Sequence, residues 1–235
     1  MIDASVTSVL LLDIEGTTTS VSFVYDVLLP YARARLASFL EGPDGEEDRR
    51  ALREERAREA DPSAPAWTDS REEEAATAYA LWLMDRDRKS TALKALQGRI
   101  WEKGYLSGAL VSHVYPDVPP ALERWHGEGR RVAIFSSGSV PAQRLLFAHT
   151  PQGDLTRWIE AYFDTTTGPK READSYRRIA AELQAPPRSI LFVSDVTAEL
   201  DAARVAGLRT ALCVREGELP AGAHPVVRTF DEVRL

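Results

Sequence analysis

Val6-Thr7-Ser8-Val9-Leu10-Leu11-Leu12-Asp13-Ile14-Glu15-Gly16-Thr17-Thr18-Thr19 opens with a near-continuous apolar run and turns polar at Asp13. A short run rich in valine and leucine, without polar alternation, predicts a strand buried on both faces of a parallel sheet. Working outward, three more runs of this kind follow: Arg131-Val132-Ala133-Ile134-Phe135, Ser189-Ile190-Leu191-Phe192-Val193 and Thr210-Ala211-Leu212-Cys213-Val214. Helical patterns lie around and between them, over 140–149, 172–184 and 197–206, the last closed by Gly207 as a C-cap. Strands alternating with helices predict right-handed βαβ units, and so an α/β fold with a doubly wound parallel sheet.

More than a hundred residues separate the first strand from the second, far too many for one crossover. Most of them read as helix. Residues 46–60 form a charged helical stretch with a largely solvated face, and Asp61-Pro62-Ser63-Ala64-Pro65-Ala66 has linker composition. Ser70-Arg71-Glu72-Glu73 has capping-box spacing ahead of a helix through Tyr79, Trp82 and Leu83. Ser90 stands where it would cap another helix, with Leu93, Leu96, Ile100 and Trp101 at helical spacing. The expectation is a core of residues 1–20 and 113–235 with an α-helical cap, 21–112, inserted after the first strand. No internal repeat or low-complexity tract interrupts it.

Composition narrows the function classes. With 44% apolar and 28% charged residues, the 235-residue chain reads as an ordinary globular protein. Its apolar runs are too short to span a bilayer. Met1-Ile2-Asp3-Ala4 shows no basic region followed by an apolar stretch, so no signal peptide is expected. A single cysteine, Cys213, permits no internal disulfide and suits a reducing cytoplasm; its apolar neighbours predict a buried structural residue. The net charge of −7 argues against a nucleic-acid binder. It also means that an anionic substrate needs local positive charge at its site, from a metal ion or a placed Lys or Arg.

In an open parallel sheet, ligands bind beyond the carboxyl ends of the strands. There this sequence puts Asp13-Ile14-Glu15-Gly16, Ser136-Ser137-Gly138-Ser139 and Ser194-Asp195, with Glu199 four residues further on; Lys170 precedes a helix. Each alone has an ordinary structural reading. Strand-terminal aspartates commonly make turns, Ser-Gly stretches make loops, Lys170 suits a surface, and Glu199 suits the first turn of a helix. Together they are what phosphoryl transfer needs. Two carboxylates hold Mg²⁺, an aspartate attacks phosphorus, hydroxyls and backbone amides grip the phosphoryl oxygens, and an ammonium offsets charge. Lys170 is also the one lysine outside the expected cap.

This ordered set resembles the four motifs of the haloacid dehalogenase (HAD)-like hydrolase superfamily, whose core is a Rossmannoid sheet. Several segments are similar to a narrower family, the enolase-phosphatases (acireductone synthases) of methionine salvage. They are residues 12–19 with Ser22-Phe23-Val24 and Leu29-Pro30-Tyr31, residues 87–94 with Leu96-Gln97-Gly98, and Ser136-Ser137-Gly138-Ser139-Val140 with residues 143–147. Tyr162-Phe163-Asp164-Thr165 and residues 191–197 complete the set. The likeness spans nearly the whole chain and is weakest over 42–70 and at the C-terminal tail. It implies enolisation and then dephosphorylation of 2,3-diketo-5-methylthiopentyl-1-phosphate, giving 1,2-dihydroxy-3-keto-5-methylthiopentene. By the same resemblance Asp13 is nucleophile and ligand of one Mg²⁺ per chain, and Asp195 completes the metal site. Glu15 joins it through its backbone carbonyl. Ser136 and Ser137 bind the phosphate, Lys170 balances its charge, and Glu199 partners metal-bound water. Glu15 stands where most of the superfamily carries Asp as acid and base, which leaves that assignment open; Glu15 is also a candidate base for the enolisation.

The cap is expected to exclude water and shape the methylthio end of the pocket. Arg86, Lys89, Lys94, Gln97 and Trp101 are candidates to face it, with packing and surface roles equally open. A phosphatase of another small ester such as a sugar phosphate, a dehalogenase, and a non-catalytic binding module are the alternatives. The expected partner is the small phosphorylated diketone alone, with no nucleic acid or membrane, acting on a cytoplasmic monomer.

Overall fold

A computed structural model describes residues 6–218 and 222–234; the stretch Met1 to Ala4, read above for a leader, lies outside them. Contacts divide the chain into two compact units, one of Met1–Phe23 with Val111–Leu235 and one of Val24–Leu110.

The first unit is built on a parallel sheet. Its strands are β1 (Val9–Leu12), β2 (Arg131–Phe135), β3 (Ala161–Phe163), β4 (Ile190–Ser194), β5 (Arg209–Cys213) and β6 (Val226–Val227), in the spatial order β3-β2-β1-β4-β5-β6. All pairings are parallel. β1 is the centre: Leu12 lies opposite Ile134 on one side and Val193 on the other. Val9, Leu10, Leu11 and Leu12 are all fully buried, as a strand covered on both faces must be. Val9 and Leu11 pack with Phe135, Phe192, Tyr176, Ile179 and Leu200 in one core layer. Each fully buried Leu contributes about 1.5–3 kcal/mol of apolar transfer.

This order reverses direction at β1, with the chain running out to β2 and β3 on one side and to β4, β5 and β6 on the other. Such a reversal leaves a crevice beyond the carboxyl ends of the central strands, where ligands bind. Asp13 and Asp195, which follow β1 and β4, stand at its two lips.

The accompanying helices are α6 (Val118–Gly127), α7 (Val140–Ala148), α8 (Ala173–Glu182) and α9 (Thr197–Val205). Gly207, expected to close α9, follows it with a φ of +91°. Three elements were not expected from periodicity. α6 begins with Pro119 and Pro120 in its first turn, where a missing N–H costs nothing but reads as loop in sequence. β3 and β6 are three and two residues long, too short to show a pattern.

The second unit is helical: α1 (Leu29–Arg33), α2 (Leu36–Glu41), α3 (Glu46–Arg58), α4 (Glu72–Asp85) and α5 (Thr91–Leu106). Its core gathers Leu36, Leu40, Leu52, Tyr79, Leu83, Leu96 and Ile100. Ser90 caps α5, its hydroxyl accepting from Leu93 N–H at 2.9 Å. The capping box expected at Ser70 does not form. Residues Asp69–Arg71 coil into a 3₁₀ turn, α4 starts at Glu72, and no side chain caps it. Glu72, Glu73 and Glu74 in its first turn favour that start through the helix dipole instead. Nor is α3 only a solvated face. Asp48 is 1% exposed and meets Arg99 at 2.6 Å, while Arg56 reaches across to the carbonyls of Ala64 and Pro65 and so fixes the linker. Among the polar candidates of this unit, Gln97 is buried, Trp101 Nε1 donates to Leu28 O at 2.8 Å, and Arg86 lies over the Trp82 ring.

Candidate active site

Asp13 leaves β1 with its amide donating to Val193 O of β4, which keeps its backbone in the sheet for one residue past the strand. The residue is 4% exposed. Oδ1 accepts from Lys170 Nζ at 2.6 Å and from Ile14 N–H at 2.7 Å, while Oδ2 faces the Ser194 hydroxyl at 3.2 Å. The loop beyond is wound tightly. Thr17, Thr18 and Thr19 all donate their amides to Ile14 O, and the Thr18 hydroxyl returns to Asp13 O. Gly16 has a φ of +69°, and a Cβ there would sit 2.2 Å from Asp195 Oδ2. Only glycine lets the two chain segments approach this closely.

Lys170 reaches the cluster from the loop before α8, held by Tyr176, whose hydroxyl donates to Lys170 O at 2.6 Å. Its ammonium bridges Asp13 and Glu199 Oε2, the latter at 2.7 Å. Burial works against that charge, but the two carboxylates outweigh it and hold Lys170 above the usual lysine range. Glu199 therefore touches the lysine directly, where the sequence suggested an outlying role beside metal-bound water. Burial, then Asp13, pushes the Glu199 carboxyl upward, and Lys170 opposes this. Ser194, not singled out from sequence, has its hydroxyl 3.1 Å from Glu199 Oε2 and 3.2 Å from Asp13 Oδ2. One proton serves one of them at a time. Its only signal in sequence is a hydroxyl directly before Asp195 at a strand end.

Asp195 is pushed up to about 6, by burial first and then by the charge of Asp13, with Lys170 opposing and Glu15 adding to the rise. Glu15 is raised as well, by burial and by Asp13. Lys170 thus contacts two carboxylates, Asp13 and Glu199, and its charge also acts on Glu15 and Asp195. Among the described residues no three His, Cys, Asp or Glu side chains gather as a ready-made metal cage.

Ser136 follows β2, buried, its amide donating to Phe163 O at 3.1 Å. Its Oγ accepts from Gly138 N–H at 3.2 Å, so the hydroxyl keeps its own proton for an anionic acceptor. Gln143 pins this loop, its Nε2 donating to Gly138 O and Phe163 O, and Asp164 accepts from Val140 N–H. Ser137 is exposed on the same loop.

The residues most separated in sequence are therefore gathered at one end of one sheet, and comparison with known proteins says what that gathering is. A model of the haloacid dehalogenase-like hydrolases matches residues 7–207. Enolase-phosphatase E1 of Synechococcus elongatus is 51% identical over 230 residues, 95% of this chain and 96% of that protein. The chain belongs to the enolase-phosphatase family of haloacid dehalogenase-like hydrolases. Enolase-phosphatase E1 of Sorangium cellulosum is 52% identical over 95% of each chain. The crystal structure of the UTR4 protein of Saccharomyces cerevisiae superposes with a TM-score of 0.79 at 34% identity, covering 96% of this chain and 99% of that one. As an enolase-phosphatase of this fold, the protein is an enzyme of the HAD phosphatase type. Among its described residues no helix is long and apolar enough to cross a membrane.

Proposed function

We propose that this enzyme converts 2,3-diketo-5-methylthiopentyl-1-phosphate to 1,2-dihydroxy-3-keto-5-methylthiopentene and phosphate, as a step of methionine salvage, with Asp13 as the nucleophile. The carrying observation is the buried Asp13 carboxylate with the Lys170 ammonium 2.6 Å away, at the reversal point of the sheet and across from Asp195.

In the first half-reaction a proton leaves C1 of the diketone, between the ketone and the phosphate ester. Glu15 is our choice of base, because burial and the charge of Asp13 make its carboxylate a better proton acceptor than a solvated one. In the second, Asp13 attacks phosphorus and the enol oxygen departs, leaving an aspartyl-phosphate that water hydrolyses. The departing oxygen is conjugated to the C3 ketone, so it needs less protonation than an alkoxide; this accounts for a Glu, rather than the superfamily's usual Asp, two residues after the nucleophile. The Ser136 hydroxyl and the loop with Ser137 hold the phosphoryl oxygens, and Lys170 offsets their charge while orienting the Asp13 carboxylate.

A divalent cation fits this donor set. Asp13 lies close enough to Asp195 to disfavour the charge of that carboxylate, and Lys170 is already shared between Asp13 and Glu199. Asp13, Asp195 and the Glu15 carbonyl would hold Mg²⁺, which characteristically takes few protein oxygens and fills the rest with water and substrate phosphate. Bound there, it would neutralise the ester's negative charge and stabilise the enediolate and phosphoryl transition states. We place the enzyme in the cytoplasm, in keeping with the lone buried thiol of Cys213, and take it to act as a monomer.

Phosphate release from the diketone phosphate and from a panel of sugar phosphates, with and without chelator, tests the proposal. Turnover of the diketone phosphate should stop with chelator and return with Mg²⁺, and sugar phosphates should be poor substrates. Full activity in chelator, or a preferred sugar phosphate, would overturn it.

A further inference from the structure

Arg215 lies two residues beyond β5, outside every motif of the site, with its side chain 7% exposed. All three of its guanidinium nitrogens are engaged. Nε and Nη2 donate to Thr17 O at 2.9 and 2.6 Å. Nη1 meets both oxygens of Asp117 at 2.8 Å and the Arg228 carbonyl at 3.1 Å. The guanidinium carbon lies over the rings of Tyr115 and Phe230, at 4.2 and 4.8 Å from their centroids. Asp117 is itself half-buried and accepts from Phe230 N–H at 2.6 Å. One side chain thus joins the loop after β1, the entry to α6, the ends of β5 and β6, and the C-terminal turn.

We propose that Arg215 is a positioning residue for the catalytic loop: through the Thr17 carbonyl it fixes where that loop presents Glu15 and Gly16 to Asp195. The loop's internal bonds converge on Ile14 O, so they wind residues 14–19 into one body without anchoring that body to its surroundings. Tyr115 N–H on Thr18 O and the Thr19 hydroxyl on His113 O fix its far end, and the forked donor of Arg215 holds the Thr17 carbonyl beside Gly16. Gly16, its neighbour, packs against the Asp195 carboxylate with no room for a methyl group. A displacement at Thr17 is therefore passed to the gap between the two acids, and misplacement by about 1 Å at a reacting centre can cost about 100-fold in rate. Lysine does not replace this residue: it carries one ammonium, without the planar fork that grips Thr17 and Asp117 together and without the flat faces that stack.

The proposal rests on the function given above, and its test separates the two. In Arg215→Lys, amides of residues 17–19 should exchange hydrogen faster while those of the second unit do not change. In the same protein, kcat for the diketone phosphate should fall about 10–100-fold with KM moving by less than about threefold, the scale typical of groups that orient catalytic ligands. A purely structural clamp would lower the Tm and leave kcat at 25 °C alone. Should the lysine variant not fold, Asp117→Asn keeps the shape of the partner, loosens the guanidinium, and should move both readouts in the same direction. A folded variant with unchanged exchange at 17–19 and kcat within about twofold of the parent would overturn the assignment. If the parent enzyme itself fails to turn over the diketone phosphate, the proposed function falls, and the exchange measurement still decides the role of Arg215.

Discussion

At the scale of single residues, the chemistry depends on how the buried Asp13 carboxylate is held. Lys170 and Ile14 N–H bind one oxygen and Ser194 faces the other, which fixes the direction of the nucleophile. Asp13→Asn keeps the shape but loses both charge and nucleophile, and kcat should drop by at least about 10⁴-fold, as when one member of a catalytic unit is removed; circular dichroism should show it folded. Cys213 makes the opposite use of burial. Its thiol is pushed from 9.0 up to about 11, by burial first, with Arg215 opposing. The folded protein thus favours the protonated thiol. Its contribution to stability is complete below pH 9 and is lost as pH rises through about 11. Urea unfolding between pH 8 and 11 should show that slope, and Cys213→Ala should flatten it. Asp13 and Asp195 were legible because each stands out where an apolar run ends, and Lys170 because it is the one lysine outside the expected cap. Arg215 was not, since in a chain with 29 lysines and arginines nothing local marks the one that folds inward.

At the scale of elements, the helical unit separates true caps from apparent ones. Ser90 and Ser70 both precede helices in sequence, yet only the Ser90 oxygen accepts from a first-turn amide. Ser90→Ala should cost about 1 kcal/mol of stability, and Ser70→Ala close to nothing, as read by paired thermal melts. A box needs the backbone of its first residue extended, and the 3₁₀ turn over Asp69–Arg71 takes that conformation away. The sheet was easier to read because complete burial writes itself into composition: β2, β4 and β5 fall within about a residue of their apolar runs, and β1 keeps Val9–Leu12 of the run that began at Val6. Where an element was short, as in β3, or opened with two prolines, as in α6, tertiary packing supplied what local pattern lacked.

At the scale of the whole molecule, the sheet order places the ends of β1 and β4 side by side, and this brings together groups that are 182 positions apart in the chain, Asp13 and Asp195. Burial and the nearby charge of Asp13 disfavour the charged forms of Asp195 and Glu199 in the protein alone, at a site that a cation and a phosphoryl group would complete together. The outcome at the level of fold was written in the alternation of strands and helices. How the loops beyond the strands are held was not, because their anchors, Gln143, Tyr176 and Arg215, come from other elements. All of this converges on one covalent event at residue 13. The direct test is to quench the enzyme in acid during turnover of the diketone phosphate, reduce with borohydride, and map the product by mass spectrometry. Conversion of Asp13 to homoserine, absent without substrate, is the predicted result; steady turnover with Asp13 never modified would contradict the account.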